Sequence, residues 1–122
     1  MAKILVIDDE PGIRGVIRDV LEDAGHEVTA LENGRNAVNQ IKRAPIDLVI
    51  TDIFMPEVEG LETIRFIHRL YPDMPIIAIS GIDFQGRDYL GMSQKFGATA
   101  TLKKPFWPEE LLDLVVRVLV LN

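Results

Sequence analysis

Three carboxylates in this 122-residue chain stand where short apolar runs stop. Asp8 and Asp9 follow the run Ile4–Ile7, and Asp52 follows "LVIT". Two other polar groups end similar runs: Ser80 closes "PIIAIS", and Lys104 lies just past "TATL". Carboxylates gathered in one pocket disfavour each other's ionisation, so three together need a positive charge. A hard divalent cation suits them. Magnesium takes oxygen ligands, uses one or two carboxylates and keeps several waters. Lys104 would add further positive charge, and Ser80 a hydroxyl donor. Such a unit is suited to holding an anion beside a carboxylate.

These residues are far apart in sequence, so the fold must gather them. "KILVI" predicts a buried strand. From Pro11 the apolar residues shift to Ile13, Val16, Ile17, Val20, Leu21 and Ala24, the spacing of one helix face, with Gly25 as the stop. "EVTAL" predicts a second strand, and "GRNAVNQIKRA" a helix ending before Pro45. "IDLVIT" is a third strand, and Leu61, Ile64, Ile67, His68 and Tyr71 mark a helix after Gly60. "PIIAIS" and "TATL" give strands four and five, with a weaker helix over "DYLGMSQKFG" between them. "PEELLDLVVRVLVL" is the last helix, with acids complementing its dipole. Five βα units imply a parallel sheet covered on both faces and doubly wound by right-handed crossovers. In such sheets, sites form at the carboxyl ends of the strands. That is where all five candidate residues fall.

Composition narrows the function classes. The chain is 48% hydrophobic and 26% charged, as in soluble globular proteins, and its length suits one domain over residues 1–122. A net charge of −6 with no basic stripe disfavours direct nucleic-acid binding. The absence of cysteine excludes disulfides and thiolate metal sites and suits a cytoplasmic protein. "MAKILVIDDE" meets charge too early for a secretory signal. "LLDLVVRVLVL" is interrupted by Asp113 and Arg117 and falls short of the roughly 20 apolar residues of a membrane span. No membrane insertion is expected.

Four motifs, "VIDDE", "LVITDIFMPEVEG", "IIAISG" and "LKKPF", occur in an order and spacing that resemble the receiver domain of two-component response regulators. Each is weak alone; together they are specific and cover essentially the whole chain. The resemblance implies a flavodoxin-like three-layer α/β/α sandwich with strand order 2-1-3-4-5. It also implies a phosphorylation-activated switch, not an enzyme acting on other molecules. A sensor histidine kinase or a histidine phosphotransfer protein would be the partner. By position, Asp52 matches the phosphoacceptor and Asp9 the main magnesium ligand, with Asp8 assisting. The Phe54 backbone carbonyl would complete the protein ligands, and Mn²⁺ could replace Mg²⁺. Ser80 matches the switch hydroxyl. Lys104 matches the lysine that adjoins a proline, with the Lys104–Pro105 bond expected to be cis. Phe54 and Ile82 occupy positions that flank the phosphoryl group and help set its lifetime. Thr101 departs from the pattern, since many receivers carry an aromatic switch residue there.

Two other functions fit the same strand pattern. A magnesium-dependent aspartyl-phosphate hydrolase of the haloacid dehalogenase type needs an acid/base two residues after its nucleophile, but Phe54 cannot exchange a proton. A flavin-binding electron carrier needs a phosphate-holding loop after strand one, where Asp8, Asp9 and Glu10 would repel phosphate. Elsewhere, ordinary structural roles are expected. His68 is read as a partly buried structural histidine and His26 as a loop residue. Tyr89, Met92 and Phe96 are read as core, while Trp107 is either a partner contact or local packing. The last helix has an apolar arc of roughly 220°. A strip at Leu114, Val118 and Leu121 is therefore expected to be exposed. It would meet a second subunit, giving a homodimer through that helix, or the remainder of a longer chain.

Overall fold

A computed structural model of the chain describes residues 2–53, 59–81 and 89–121. Lys3–Ile7 form β1, and Pro11–Asp23 form α1 with its proline in the first turn. Gly25, at φ 94°, adopts the left-handed conformation that turns the chain into β2, Glu27–Leu31. The remaining elements are α2 (Ala37–Arg43), β3 (Leu48–Asp52), α3 (Glu59–Leu70), β4 (Ile76–Ser80), α4 (Tyr89–Phe96), β5 (Ala100–Lys103) and α5 (Pro108–Leu121). The five strands are parallel in the order β2-β1-β3-β4-β5. This is the flavodoxin-like topology expected from the sequence.

The unbroken apolar strands are explained by two cores, one on each face of the sheet. Ile4, Val6, Leu48, Ile50, Ile77 and Ile79 point to the face covered by α1 and α5. Their strand neighbours Leu5, Ile7, Val49, Ile76 and Ala78 point to the other face, against Ala37, Ile41, Leu61, Ile64 and Ile67. Alternate side chains face opposite ways, so a strand covered on both faces is apolar nearly throughout, and buried Thr51 satisfies its hydroxyl by donating to Asp52 O at 3.1 Å. Register then aligns the ends. Ile7 pairs with Thr51, Asp52 with Ile79, and Ser80 with Lys103.

The structure corrects four details. Gly34–Asn36 form a 3-10 turn and not the first turn of α2; the Asn33 side chain accepts a hydrogen bond from the Arg35 N–H at 3.0 Å. A Cβ on Gly34 would overlap the Thr63 side chain, so this turn sits directly on α3. His68 is exposed, not partly buried, and it packs over Gly97, where an added Cβ would overlap the imidazole. Trp107 is exposed, so local burial does not account for it. Its backbone N–H donates to Glu110 Oε1 at 2.9 Å, half of a capping box at the start of α5.

The last correction concerns α5. Leu114 and Val118 are buried, so the expected exposed strip is not there. Leu111, Val115 and Val118 face the sheet, and Leu114 joins the same core. The surplus apolar arc emerges on the other flank, at Val116 and Val120. A width of 220° could not show which flank would be covered. The side chain of Leu121 lies outside the described residues. Val116 and Val120 are the exposed large apolar side chains among the described residues of α5. Of the residues expected in the core of α4, Met92 and Phe96 pack against it. The Tyr89 side chain lies outside the described residues.

Candidate functional site

At the carboxyl edge of the sheet, one oxygen from each of Asp8, Asp9 and Asp52 lies within 4.8 Å of the others. Asp8 and Asp52 are buried, and Asp9 is exposed. The buried pair results from strands whose side chains stay buried to their ends, with Asp8 just past β1 and Asp52 closing β3. β1 and β3 are neighbours, so their ends share one pocket.

Asp8 is held at each polar group. Its N–H donates to Leu31 O at 3.1 Å, and its Oδ1 accepts from the Glu10 N–H at 2.9 Å. Its Oδ2 accepts from Lys104 Nζ at 3.4 Å, and its carbonyl accepts from Arg14 Nη1 at 2.7 Å. Burial pushes the Asp8 carboxyl above its ordinary pKa. The Glu10 N–H and the Lys104 charge oppose that rise, the Asp52 charge adds to it, and the result stays raised.

Lys104 reaches back into the pocket and donates to Asp52 Oδ2 at 2.9 Å. Burial works to discharge its ammonium. The hydrogen bond and charge of Asp52, together with those of Asp8, outweigh burial and hold its pKa above the usual lysine value. Its backbone N–H donates to Ser80 O at 2.8 Å, which fixes the β5 end beside the β4 end, and the Lys104–Pro105 peptide is cis as expected.

Ser80 is buried, and its Oγ has no hydrogen-bond partner among the described residues. An orphaned buried hydroxyl is costly. It suits a site whose oxygen-bearing ligand arrives later.

Asp8, Asp9, Asp52, Ser80 and Lys104 thus converge as the sequence predicts. Phe54 and Ile82 lie outside the described residues. The donor set fits a hard divalent cation: oxygen ligands only, two carboxylates held in place and one open to water. Two contributors were not foreseen. Arg14 grips the Asp8 carbonyl across a turn, a contact with no periodic signature. Gly60 places the start of α3 so close to the backbone of Asp52 and Ile53 that any Cβ there would overlap it. Its only sequence signal is a glycine at a helix start.

Known proteins share this fold. The sequence profile of the response regulator receiver domain matches residues 4–116. The chemotaxis protein CheY of Thermotoga maritima is 32% identical over 117 residues, covering 95% of this chain and 96% of its own length. A probable transcriptional regulatory protein of Picosynechococcus is 38% identical over 118 residues, covering 91% of this chain, but the chain spans only 46% of that protein. Among solved structures, chemotaxis protein CheY4 of Vibrio cholerae superposes with a TM-score of 0.86 at 34% identity, covering 97% of this chain and 98% of its own.

Proposed function

Because this chain belongs to the receiver-domain family of two-component response regulators, we propose that it is switched by transfer of one phosphoryl group onto Asp52. A histidine kinase or a histidine phosphotransfer protein would be the donor, in the cytoplasm. Residues 1–122 are read as one receiver domain. Among the described residues, no helix is long and apolar enough to cross a membrane. The observation that carries this reading is the pairing of Asp52 with Lys104 at 2.9 Å, with a buried Ser80 hydroxyl at the next strand end that has no partner among the described residues.

The chemistry follows from the residues. An Asp52 carboxylate oxygen attacks phosphorus as the donor's bond to phosphorus breaks, leaving an acyl phosphate. Lys104 is placed to move from the carboxylate to a phosphoryl oxygen, so its charge follows the charge that is transferred. Asp8, Asp9 and Asp52, with the Phe54 carbonyl, would hold Mg²⁺ or Mn²⁺. When bound, the ion supplies positive charge to the phosphoryl oxygens. Ser80 can then donate its unused hydrogen bond to a phosphoryl oxygen, drawing the segment after β4 inward and biasing a two-state surface. Thr101 is half-buried in β5 and cannot supply an aromatic swing, so α4 is the candidate route for output.

The direct test is uptake of one phosphate from acetyl phosphate. Uptake is expected with Mg²⁺, to be lost in EDTA and to be weakened by Asp9→Ala. Uptake that is indifferent to EDTA would remove the cation from this account. A flavin carrier would show flavin absorbance in the purified protein, and none is expected.

Lifetime follows from the flanking positions. Loss of the acyl phosphate requires in-line attack by water, and neither Phe54 nor Ile82 can orient that water through a hydrogen bond. Slow self-dephosphorylation is expected. The Phe54→Asn, Ile82→Glu double variant should decay about tenfold faster, the rate equivalent of one well-placed hydrogen bond to water. Equal decay of parent and double variant after donor removal would show that these side chains do not control access.

A further inference from the structure

Asp9 is the candidate cation ligand whose side chain has no hydrogen bond to any described residue to aim it. Asp8 is fixed through its N–H, both carboxylate oxygens and its carbonyl. Among the described residues, exposed Asp9 is oriented by its own backbone alone. The Asp8 carbonyl and the Asp9 N–H belong to one planar peptide group, so fixing the carbonyl fixes the direction in which Asp9 leaves the strand. The group that fixes it is Arg14, whose Nη1 donates to that carbonyl at 2.7 Å. Arg14 is half-buried in the first turns of α1, and its own N–H donates to Glu10 O at 2.9 Å. A helix anchored in the core therefore holds the turn that carries Asp9.

We propose that Arg14 is a positioning residue for divalent-cation binding, acting through the Asp8–Asp9 peptide and not by touching the ion. The inference rests on the cation-site reading above.

Two effects of removing Arg14 have opposite signs, and this makes the proposal testable. A guanidinium near a cation site repels the cation. At roughly 8 Å in a solvent-like dielectric, a guanidinium and a divalent ion repel by about 1 kcal/mol, and salt screens this further. Charge alone therefore predicts that Arg14→Ala binds Mg²⁺ slightly more tightly. Loss of an outer-shell hydrogen bond that orients a ligand typically weakens metal binding by about 10- to 100-fold. Positioning should win.

The experiment is a Mg²⁺ titration, without phosphodonor, followed by the amide NMR shifts of Asp9 and Asp52. It compares the parent, Arg14→Ala, Arg14→Lys, Arg14→Gln and Asp9→Ala, with melting temperatures in EDTA measured alongside. Arg14→Ala should raise the Mg²⁺ dissociation constant about tenfold. Arg14→Lys and Arg14→Gln, each retaining a donor, should recover most of the affinity, although only lysine keeps the charge. A merely structural role would move the melting temperature and would give no recovery that follows the donor. Mg²⁺ affinity in Arg14→Ala equal to or above that of the parent overturns the proposal. Failure of both lysine and glutamine to recover any affinity would separate the effect from the donated hydrogen bond and overturn it too. If the parent does not bind, or Asp9→Ala binds as tightly as the parent, the cation-site reading itself fails and the inference falls with it.

Discussion

Replacing Lys104 with methionine is expected to destabilise the protein by about 3 kcal/mol when divalent cations are absent. Methionine keeps most of the length of the side chain and removes its charge. Lys104 pairs with both Asp8 and Asp52, which are 1% and 6% exposed. Without it, two buried carboxylates share a pocket and lose the ammonium that bonded both. Breaking a buried pair from one side is costly because the charge left behind keeps its desolvation penalty. Part of the loss is relieved by protonation of Asp8, whose carboxyl burial already pushes upward in pKa. The melting temperature in EDTA should fall by on the order of 10 °C. Mg²⁺ should then stabilise the variant more than the parent, because it enters a pocket with one positive charge fewer and binds only the folded state. Thermal unfolding followed by circular dichroism, in EDTA and in excess Mg²⁺, measures both effects. An equal loss in the two conditions would mean that Lys104 contributes packing and not charge balance.

The part of this site that was legible in the sequence is the part fixed by strand ends. A strand buried on both faces is mostly apolar and tolerates no charge until it stops, so "KILVI" followed by Asp8 and Asp9, and "LVIT" followed by Asp52, mark their own boundaries. Parallel topology then puts every carboxyl end on one edge, which is why Ser80 and Lys104 could be placed there with no contact in view. The illegible parts depend on which of several equivalent directions an element takes. The apolar arc of α5 was wide enough to allow either flank to be covered, and Leu114 and Val118 turned out to face inward. The Arg14 contact spans six residues across a turn, where neither helical nor strand periodicity applies. Gly34–Asn36 could read as helix because a 3-10 turn and the first turn of an α-helix share their residue preferences.

Asp52→Asn should take up no phosphate, a loss of at least about a hundredfold, or about 2.7 kcal/mol at the transition state. Asparagine is nearly isosteric, so the strand end is retained, but a neutral amide is a far poorer nucleophile than a carboxylate. The alternatives that must be excluded are Asp8 and Asp9, which also lie in the pocket. Asp52 is favoured over Asp8 because Lys104 sits 2.9 Å from its oxygen and 3.4 Å from that of Asp8. Asp9 is exposed and has neither the burial nor the lysine contact. Intact-mass spectrometry after incubation with acetyl phosphate and Mg²⁺, with peptide mapping of the product, tests this most directly. The account predicts one added phosphate on the parent, carried by the peptide containing Asp52, and none on Asp52→Asn. Parental uptake by Asp52→Asn, or a label on the peptide carrying Asp8 and Asp9, would contradict it.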